Sequence, residues 1–310
     1  MLTIIHGSDL HFGKPHDPAV ALAFLIAARD LRPDLIVVSG DFTQRAKVRE
    51  YREARDYLKR FPSVPLVVTP GNHDVPLYRV VERLFAPYRN YRAFIREELD
   101  TVTRLSGITV VSLNSTAPYR SIVNGRIGPG QLALARAAFE SAPAGDLKAL
   151  VAHHHLAPAP DYEGDKALPH GREILEALQA MGVELVMGGH VHRAYIGNSL
   201  DVHPGASSDP GIVIVQSGTT TSRRGRARER AKCSFNRIRV DGRSVEVTHF
   251  MHFEEVGGFV PLSVHSFPRA PHCWFGDGVL PGAAKGGEQR VEQSAGSGKR
   301  DGQATREGVP

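Results

Sequence analysis

Six short runs rich in Val, Ile and Leu recur through the first two-thirds of the chain, and they restrict its fold more than any other feature. They are LTIIHGS (2–8), DLIVVSG (34–40), PLVVTPG (65–71), ITVVSLN (108–114), LKALVAH (147–153) and VELVMGG (183–189). Each is mostly unbroken rather than alternating, as expected of strands covered on both faces. Helix-length segments separate them, at 17–31, 45–60, 77–99, 130–141 and 171–181. The first opens on Asp17-Pro18, a good N-cap with proline at the first helical position. This alternation predicts an α/β layered fold with largely parallel strands.

After residue 200 the texture changes. GIVIVQSG (211–218) and CSFNRIRVDGRSVEVTHFMHF (233–253) read as antiparallel strands. In the second, Ile238 and Val240 alternate with Arg, Asp241-Gly242 is a tight-turn signal, and Val245 and Val247 alternate again. That pattern predicts a hairpin with one wet face, and strand-like residues continue to about 268. From 269 to 310 Gly, Pro, Gln, Ser and charge dominate, so residues 1–268 are expected to form the folded domain and 269–310 a disordered, low-complexity tail. GSGKR (296–300) is not a phosphate-binding loop, because Gln293 and Arg300 stand where that motif needs Gly and Ser or Thr.

Composition excludes several classes. An apolar share of 41% supports a real core, and two cysteines, Cys233 and Cys273, supply no disulfide framework. There is no basic leader with an apolar centre and no apolar run of about 18 residues, so neither a cleaved signal nor a membrane span is expected. A cytoplasmic protein follows. The net charge is +5 and the pI is near 9.3, but the excess is local. SRRGRARERAK (222–232) alone holds six Arg or Lys. It reads as a solvated loop and not as a nucleic-acid footprint.

The apolar runs end in polar clusters. They are Ser8-Asp9-Leu10-His11, Gly40-Asp41, Gly71-Asn72-His73-Asp74, His153-His154-His155 and Gly188-Gly189-His190-Val191-His192. In open α/β sheets ligands collect beyond the carboxyl ends of strands, so one rim would receive all five clusters. Asp9 and His11, like His190 and His192, stand at i, i+2, which in extended backbone puts both side chains on one side. Imidazole mixed with carboxylate oxygen suits borderline divalent metals such as Zn, Mn or Fe. Seven ligands exceed one four-coordinate site, but a carboxylate bridging two ions about 3.5–4 Å apart would use them all. Two divalent ions against two carboxylates would leave positive charge to meet an anionic phosphate.

In this order, Asp9-x-His11, Gly40-Asp41, Gly71-Asn72-His73-Asp74, the histidines at 153–155 and Gly189-His190-x-His192 resemble the calcineurin-like metallophosphoesterases, directly across residues 1 to about 195. The later strands fit the second sheet of that family's α/β/β/α sandwich, with a mixed two-sheet core and the metal site at the strand C-terminal ends. NSTAP (114–118) and GRIGPGQLALARAAF (125–139) are similar to the bacterial cyclic-nucleotide phosphodiesterase branch, although the tryptophan of that branch is missing near Ala135. The resemblance implies two divalent ions, Mn, Fe or Zn. Asp9, His11 and His192 would hold the first, Asp41 would bridge, and Asn72, His153 and His190 would hold the second. His153 is preferred as the first histidine after its strand, with His154 and His155 open as alternatives. His73 would be the general acid, with Asp74 orienting its ring. The implied reaction is hydrolysis of a small phosphodiester, with 3',5'-cyclic nucleotides as the leading class, by a metal-activated hydroxide. A phosphomonoesterase, a nuclease or a non-catalytic metal-binding interaction subunit are the competing readings. The sequence assigns no oligomeric state. Of the other histidines, His6 reads as a hydrogen-bonded core residue, His249 and His252 as surface or packing residues, His170 as a loop or helix start, and His203 as a minor candidate for substrate contact.

Overall fold

The computed structural model describes residues 1–120, 124–158, 166–203 and 211–269. Its first half alternates as the apolar runs predict. β1 (Leu2–Gly7), α1 (Pro18–Asp30), β2 (Leu35–Val38), α2 (Val48–Leu58) and β3 (Leu66–Val68) are followed by two short helices, α3 (Val80–Phe85) and α4 (Arg89–Phe94). Then come β4 (Thr101–Leu105), β5 (Ile108–Ser112), α5 (Pro129–Glu140), β6 (Leu147–Val151), α6 (Gly171–Ala180), β7 (Leu185–Gly188), β8 (Tyr195–Asn198) and β9 (Val213–Gln216). Three long strands close the described chain: β10 (Ser234–Val240), β11 (Ser244–Phe253) and β12 (Gly258–Pro268).

The strands form two six-stranded sheets, ordered β12-β11-β10-β1-β2-β3 and β4-β5-β6-β7-β9-β8. The sheets pack face to face around Ile4, Leu35 and Val37 from one and Val110, Ala149 and Met187 from the other. The neighbouring residues Ile5, Ile36 and Val38 point outward, under Phe24 of α1 and Tyr51 and Ala54 of α2. On the far side, Val111, Leu150 and Val186 lie under Phe139 of α5 and Ile174 and Leu178 of α6. Successive side chains of one strand therefore enter two different cores, which is why the runs are unbroken. The result is an α/β/β/α sandwich.

Two local expectations need correcting. Segment 77–99 is not one helix, because Pro87 cannot continue an α-helix and the chain breaks between α3 and α4. The sheets are mixed, as expected: pairing is parallel in the sheet centres and antiparallel at β4–β5, β8–β9 and β1–β10–β11–β12. The GIVIVQSG run is β9, antiparallel to β8 as expected and parallel to β7 on its other side, fully buried inside the second sheet. Second, Arg269 belongs to the folded unit. It is buried and binds Glu184, with Nε–Oε2 and Nη2–Oε1 both at 2.8 Å. The remainder of the expected tail, 270–310, with Cys273, lies outside the described residues. The β10–β11 hairpin turns at Asp241-Gly242 as expected. Among the described residues, no helix is long and apolar enough to cross a membrane.

Candidate active site

The parallel strands β1, β2 and β3 of one sheet and β6 and β7 of the other run out at the same end, and the five polar clusters follow them. The first two loops are zipped together by Asp9 N–H to Gly40 O (3.0 Å), His11 N–H to Asp41 O (2.9 Å) and Phe12 N–H to Phe42 O (2.8 Å). Asp9, His11, Asp41, His190 and His192 all have φ between 48° and 74°. Left-handed backbone at such residues stores roughly 1–3 kcal/mol each and persists only where the surroundings impose it. Gly40 has φ 103°, and a Cβ there would stand 2.6 Å from His153 Nδ1. A Cβ on Gly71 would overlap Asp41 Oδ1. Both glycines allow loop backbone to press against ligand side chains.

Two sets of donor atoms result. In the first, His11 Nε2 and His192 Nε2 are 3.0 Å apart. Asp9 Oδ1 is 3.5 Å from the former and 3.1 Å from the latter, and Asp41 Oδ2 is 3.7 Å from His11 Nε2. These four residues are all buried, with donor atoms within 4.8 Å of one another. In the second set, Asn72 Oδ1 lies 3.1 Å from His153 Nε2 and 3.0 Å from His190 Nδ1. Asp41 Oδ2 is also 3.5 Å from His153 Nε2, so this one oxygen faces both sets. His153 Nδ1 donates to Ser39 O at 2.7 Å, which turns Nε2 inward. Of the consecutive histidines, His153 alone joins the set. The His154 ring pairs with Ser115 Oγ at 2.8 Å, and the His155 ring stacks on His190.

The arrangement fits divalent ions. Asp9 Oδ1 and Asp41 Oδ2 are buried acceptors with no hydrogen-bond partner among the described residues. Orphaned buried carboxylate oxygens are costly unless a cation satisfies them. Separations near 3.0–3.5 Å are also what ligand atoms each about 2.1 Å from a common ion would show. The buried carboxylates draw positive charge to the site: against its burial, His153 is pushed up to about 9 by Asp41 and Asp9. Burial would raise the Asp9 carboxyl, but His192, His11 and His153 around it hold it well below the usual carboxylate range. Asp41 is likewise lowered against its burial, by His153, His73 and His11. Burial pulls His11 down to about 4, leaving a neutral imidazole, the form that ligates.

His73 stands beside both sets, its ring edge-on to His11 at 4.9 Å between centroids, while its backbone N–H donates to Asp41 Oδ1 at 2.8 Å. Its Nδ1 is 2.9 Å from Gln44 O and its Nε2 is 3.2 Å from Arg224 Nη1. A carbonyl only accepts and a guanidinium only donates. The ring is therefore neutral, with the proton on Nδ1 and a lone pair on Nε2. The expectation that Asp74 orients this ring is corrected. Asp74 accepts from the backbone of Phe42 (3.2 Å), Thr43 (2.9 Å) and Gly71 (2.9 Å) and from Thr43 Oγ1 (3.1 Å). It fastens the second loop to the third, and Gln44 O holds the ring.

The basic run 222–232 is solvated at Arg223, Arg228, Arg230 and Lys232, as expected, but it is also pinned to the rest of the chain. Arg223 pairs with Asp17 at 2.7 Å, Arg226 N–H donates to His192 O at 2.9 Å, and Arg228 Nη2 donates to Ala194 O at 2.9 Å. Glu229 is buried and accepts from Ala194 N–H (2.9 Å) and Ser234 Oγ (2.8 Å). The segment is a strap across the His192 loop, and it puts Arg224 against His73. The lone acid, Glu229, inside an otherwise basic run was the one signal that the run turns inward. Gln44 carried no signal. His6 is a core residue bonded to Ser39 Oγ at 2.9 Å, and His249 is buried against Asn236 at 2.9 Å, both as packing residues. His170 precedes α6.

Residues 2–194 match the family model for calcineurin-like phosphoesterases. The chain belongs to this family. Its members are metal-dependent phosphoesterases built around two divalent ions. The chain is 30% identical over 209 residues to a protein of Synechococcus sp. named as a cyclic nucleotide phosphodiesterase, covering 63% of this chain and 75% of that protein. It is 27% identical over 204 residues to a cAMP/cGMP dual specificity phosphodiesterase of Mycobacterium tuberculosis, covering 61% of this chain and 59% of that one. In fold it resembles a purple acid phosphatase from yellow lupin, with a TM-score of 0.66 at 15% identity. That likeness covers 86% of this chain and 54% of the lupin chain. The sandwich is thus the calcineurin-like fold, with the donor sets at the sheet ends.

Proposed function

We propose that this calcineurin-like phosphoesterase hydrolyses small phosphodiesters, with 3',5'-cyclic nucleotides as the leading substrate class. The observation that carries the reading is the pair of buried donor sets sharing Asp41 Oδ2, with His73 beside them. Asp9, His11 and His192 would hold one ion, Asn72, His153 and His190 the other, and Asp41 would touch both. Bound divalent ions supply an acidified water and positive charge against the phosphoryl oxygens. His73 takes the general acid's part. Gln44 O fixes its ring through Nδ1; once Arg224 has left Nε2, that nitrogen takes up a proton from solvent and passes it to the departing alkoxide. Such help is typically worth about 10²–10⁴ in rate.

Support for the diester and the nucleotide comes from the two named relatives and from one cavity. The NSTAP stretch and the start of α5 meet where Gln131 Nε2 donates to Asn114 O and to Asp100 Oδ1, both at 2.8 Å. A cavity of about 420 Å3 opens there, lined by Tyr88, Asn114, Thr116, Tyr119, Arg126 and Gln131. Its lining residues Asn114 and Thr116 flank buried Ser115, which pairs with His154, and the His154 ring is 4.6 Å from that of His190. We assign this cavity to the non-phosphate part of the substrate. The nuclease reading is decided by the single-stranded DNA arm of the test, since Arg228, Arg230 and Lys232 of the basic run are exposed. A cytoplasmic location belongs to this reading, in keeping with Cys233 as a buried free thiol.

The test is a panel of bis-aryl phosphate, aryl monophosphate, 3',5'-cyclic nucleotides and single-stranded DNA, run with Mn or Zn. Turnover of the diester and of cyclic nucleotides is expected. Turnover of monoesters alone would remove the diesterase assignment, and no turnover with any metal would remove the enzyme.

A further inference from the structure

We infer that Arg224 is a catalytic residue of this site, binding a phosphoryl oxygen of the substrate through its guanidinium; the inference rests on the phosphoesterase reading. Position is the first argument. Its Nη1 is 3.2 Å from His73 Nε2 and 2.9 Å from Gln44 Oε1. It thus occupies the nitrogen from which His73 would face a leaving group. The Asp41 and Asp9 carboxylates are the attractions that favour its charged form, set against the burial that opposes it.

Its lack of a carboxylate partner is the second argument. Arg223, its neighbour, is paired with Asp17. Among the described residues no carboxylate lies within ion-pair distance of Arg224, and its two hydrogen bonds go to a neutral amide and a neutral imidazole. Both use Nη1. The Nε and Nη2 edge, the fork that matches two oxygens of a phosphate, makes no hydrogen bond among the described residues. A half-buried cation with a free fork, beside ligand sets built for a phosphate ester, has an anion as its natural partner.

Rigidity is the third. The strap is anchored on both sides of Arg224, by Arg223 N–H to Pro15 O (3.0 Å) before it and by Arg226 N–H to His192 O (2.9 Å) after it. Buried Glu229 ties the strap further. The guanidinium therefore needs only a side-chain movement to pass from His73 to a phosphoryl oxygen, and that movement clears Nε2.

The experiment is R224A in the full chain, loaded with Mn and compared with wild type on bis-aryl phosphate. Alongside it, inorganic phosphate binding is measured by calorimetry and metal content by elemental analysis. The expected result is a fall in kcat/KM of about 10²–10³, the usual cost of removing one preorganised donor to a developing oxyanion. Phosphate affinity should weaken by at least tenfold with two ions retained. A residue that only props up His73 would leave phosphate affinity unchanged, and that result would overturn the proposal. So would loss of metal or a lowered Tm in R224A. If wild type itself turns over no ester, the phosphoesterase reading fails, and the phosphate titration alone still decides whether Arg224 binds the anion.

Discussion

Asp41 has the most demanding position of any side chain here. Fully buried and ionised, it offers Oδ2 to two sets of imidazoles and Oδ1 to the His73 backbone. Asp41→Asn keeps the shape but removes the charge that would offset two cations, so bound metal by elemental analysis should fall with activity. His73→Ala is expected to separate these quantities. Two ions should remain while kcat drops by about 10²–10⁴, and metal loss there would show that the ring is a ligand. Asp74→Ala should behave in neither way. It leaves three backbone N–H groups and the Thr43 hydroxyl without their acceptor, at a cost of roughly 2–4 kcal/mol. The sign of that loss is a lower urea midpoint in the metal-free protein. At this scale the ligands were legible because metal chemistry dictates residue type and the strand ends dictate place. The part played by Asp74 was not, since its partners Phe42 and Thr43 lie some thirty residues away in sequence. Nor was Arg224, placed by a segment about 150 residues beyond His73. The left-handed backbone of five ligand residues also left no trace, because nothing in an Asp or His codes for it.

Among the elements, α1 shows how a local signal and a distant contact meet. Asp17 caps the helix, accepting from Ala19 N–H at 3.0 Å and Val20 N–H at 3.3 Å, and also pairs with Arg223 of the strap. Partial burial raises its carboxyl, but the Arg223 guanidinium and the two helix amides outweigh that and hold it below the ordinary value. A depressed folded value gives stability that is complete above the unfolded value near 4 and is lost as pH falls through the folded one. Asp17→Ala should therefore cost about 1 kcal/mol at neutral pH, and the gap from wild type should narrow below about pH 4. A gap that does not change with pH in urea titrations would show the carboxylate charge to be idle. The cap was legible because Asp-Pro is a local code. The break between α3 and α4 was legible in principle from Pro87. Edge strands β4 and β8 were not, since short segments such as TVTRL and YIGN acquire strand character only from the neighbours they pair with.

For the whole molecule, the site depends on two sheets keeping one relative position, because β1–β3 bring Asp9, His11, Asp41 and Asn72 while β6 and β7 bring the other histidines. The inter-sheet core is apolar and non-directional. Directional ties across it are therefore informative, and Arg269 makes the clearest. From the end of β12 in the first sheet it reaches Glu184, just before β7 in the second, through two 2.8 Å bonds, and Nη1 also donates to Asp241 O at 2.8 Å. Composition drew the edge of the folded unit at 268, one residue short, because an arginine opening a Gly- and Pro-rich stretch looks like tail until its partner is known. We propose 1–269 as the catalytic unit. A chain ending at 269 should retain two ions and the activity of the full chain, whereas one ending at 268 leaves Glu184 without its cation. That second chain should be less stable by roughly 1–3 kcal/mol, the usual range for charged hydrogen bonds, visible as a lower denaturant midpoint at unchanged slope. Equal midpoints for the two truncations would show the clasp to be idle. Loss of activity in both would place residues beyond 269 within the working enzyme.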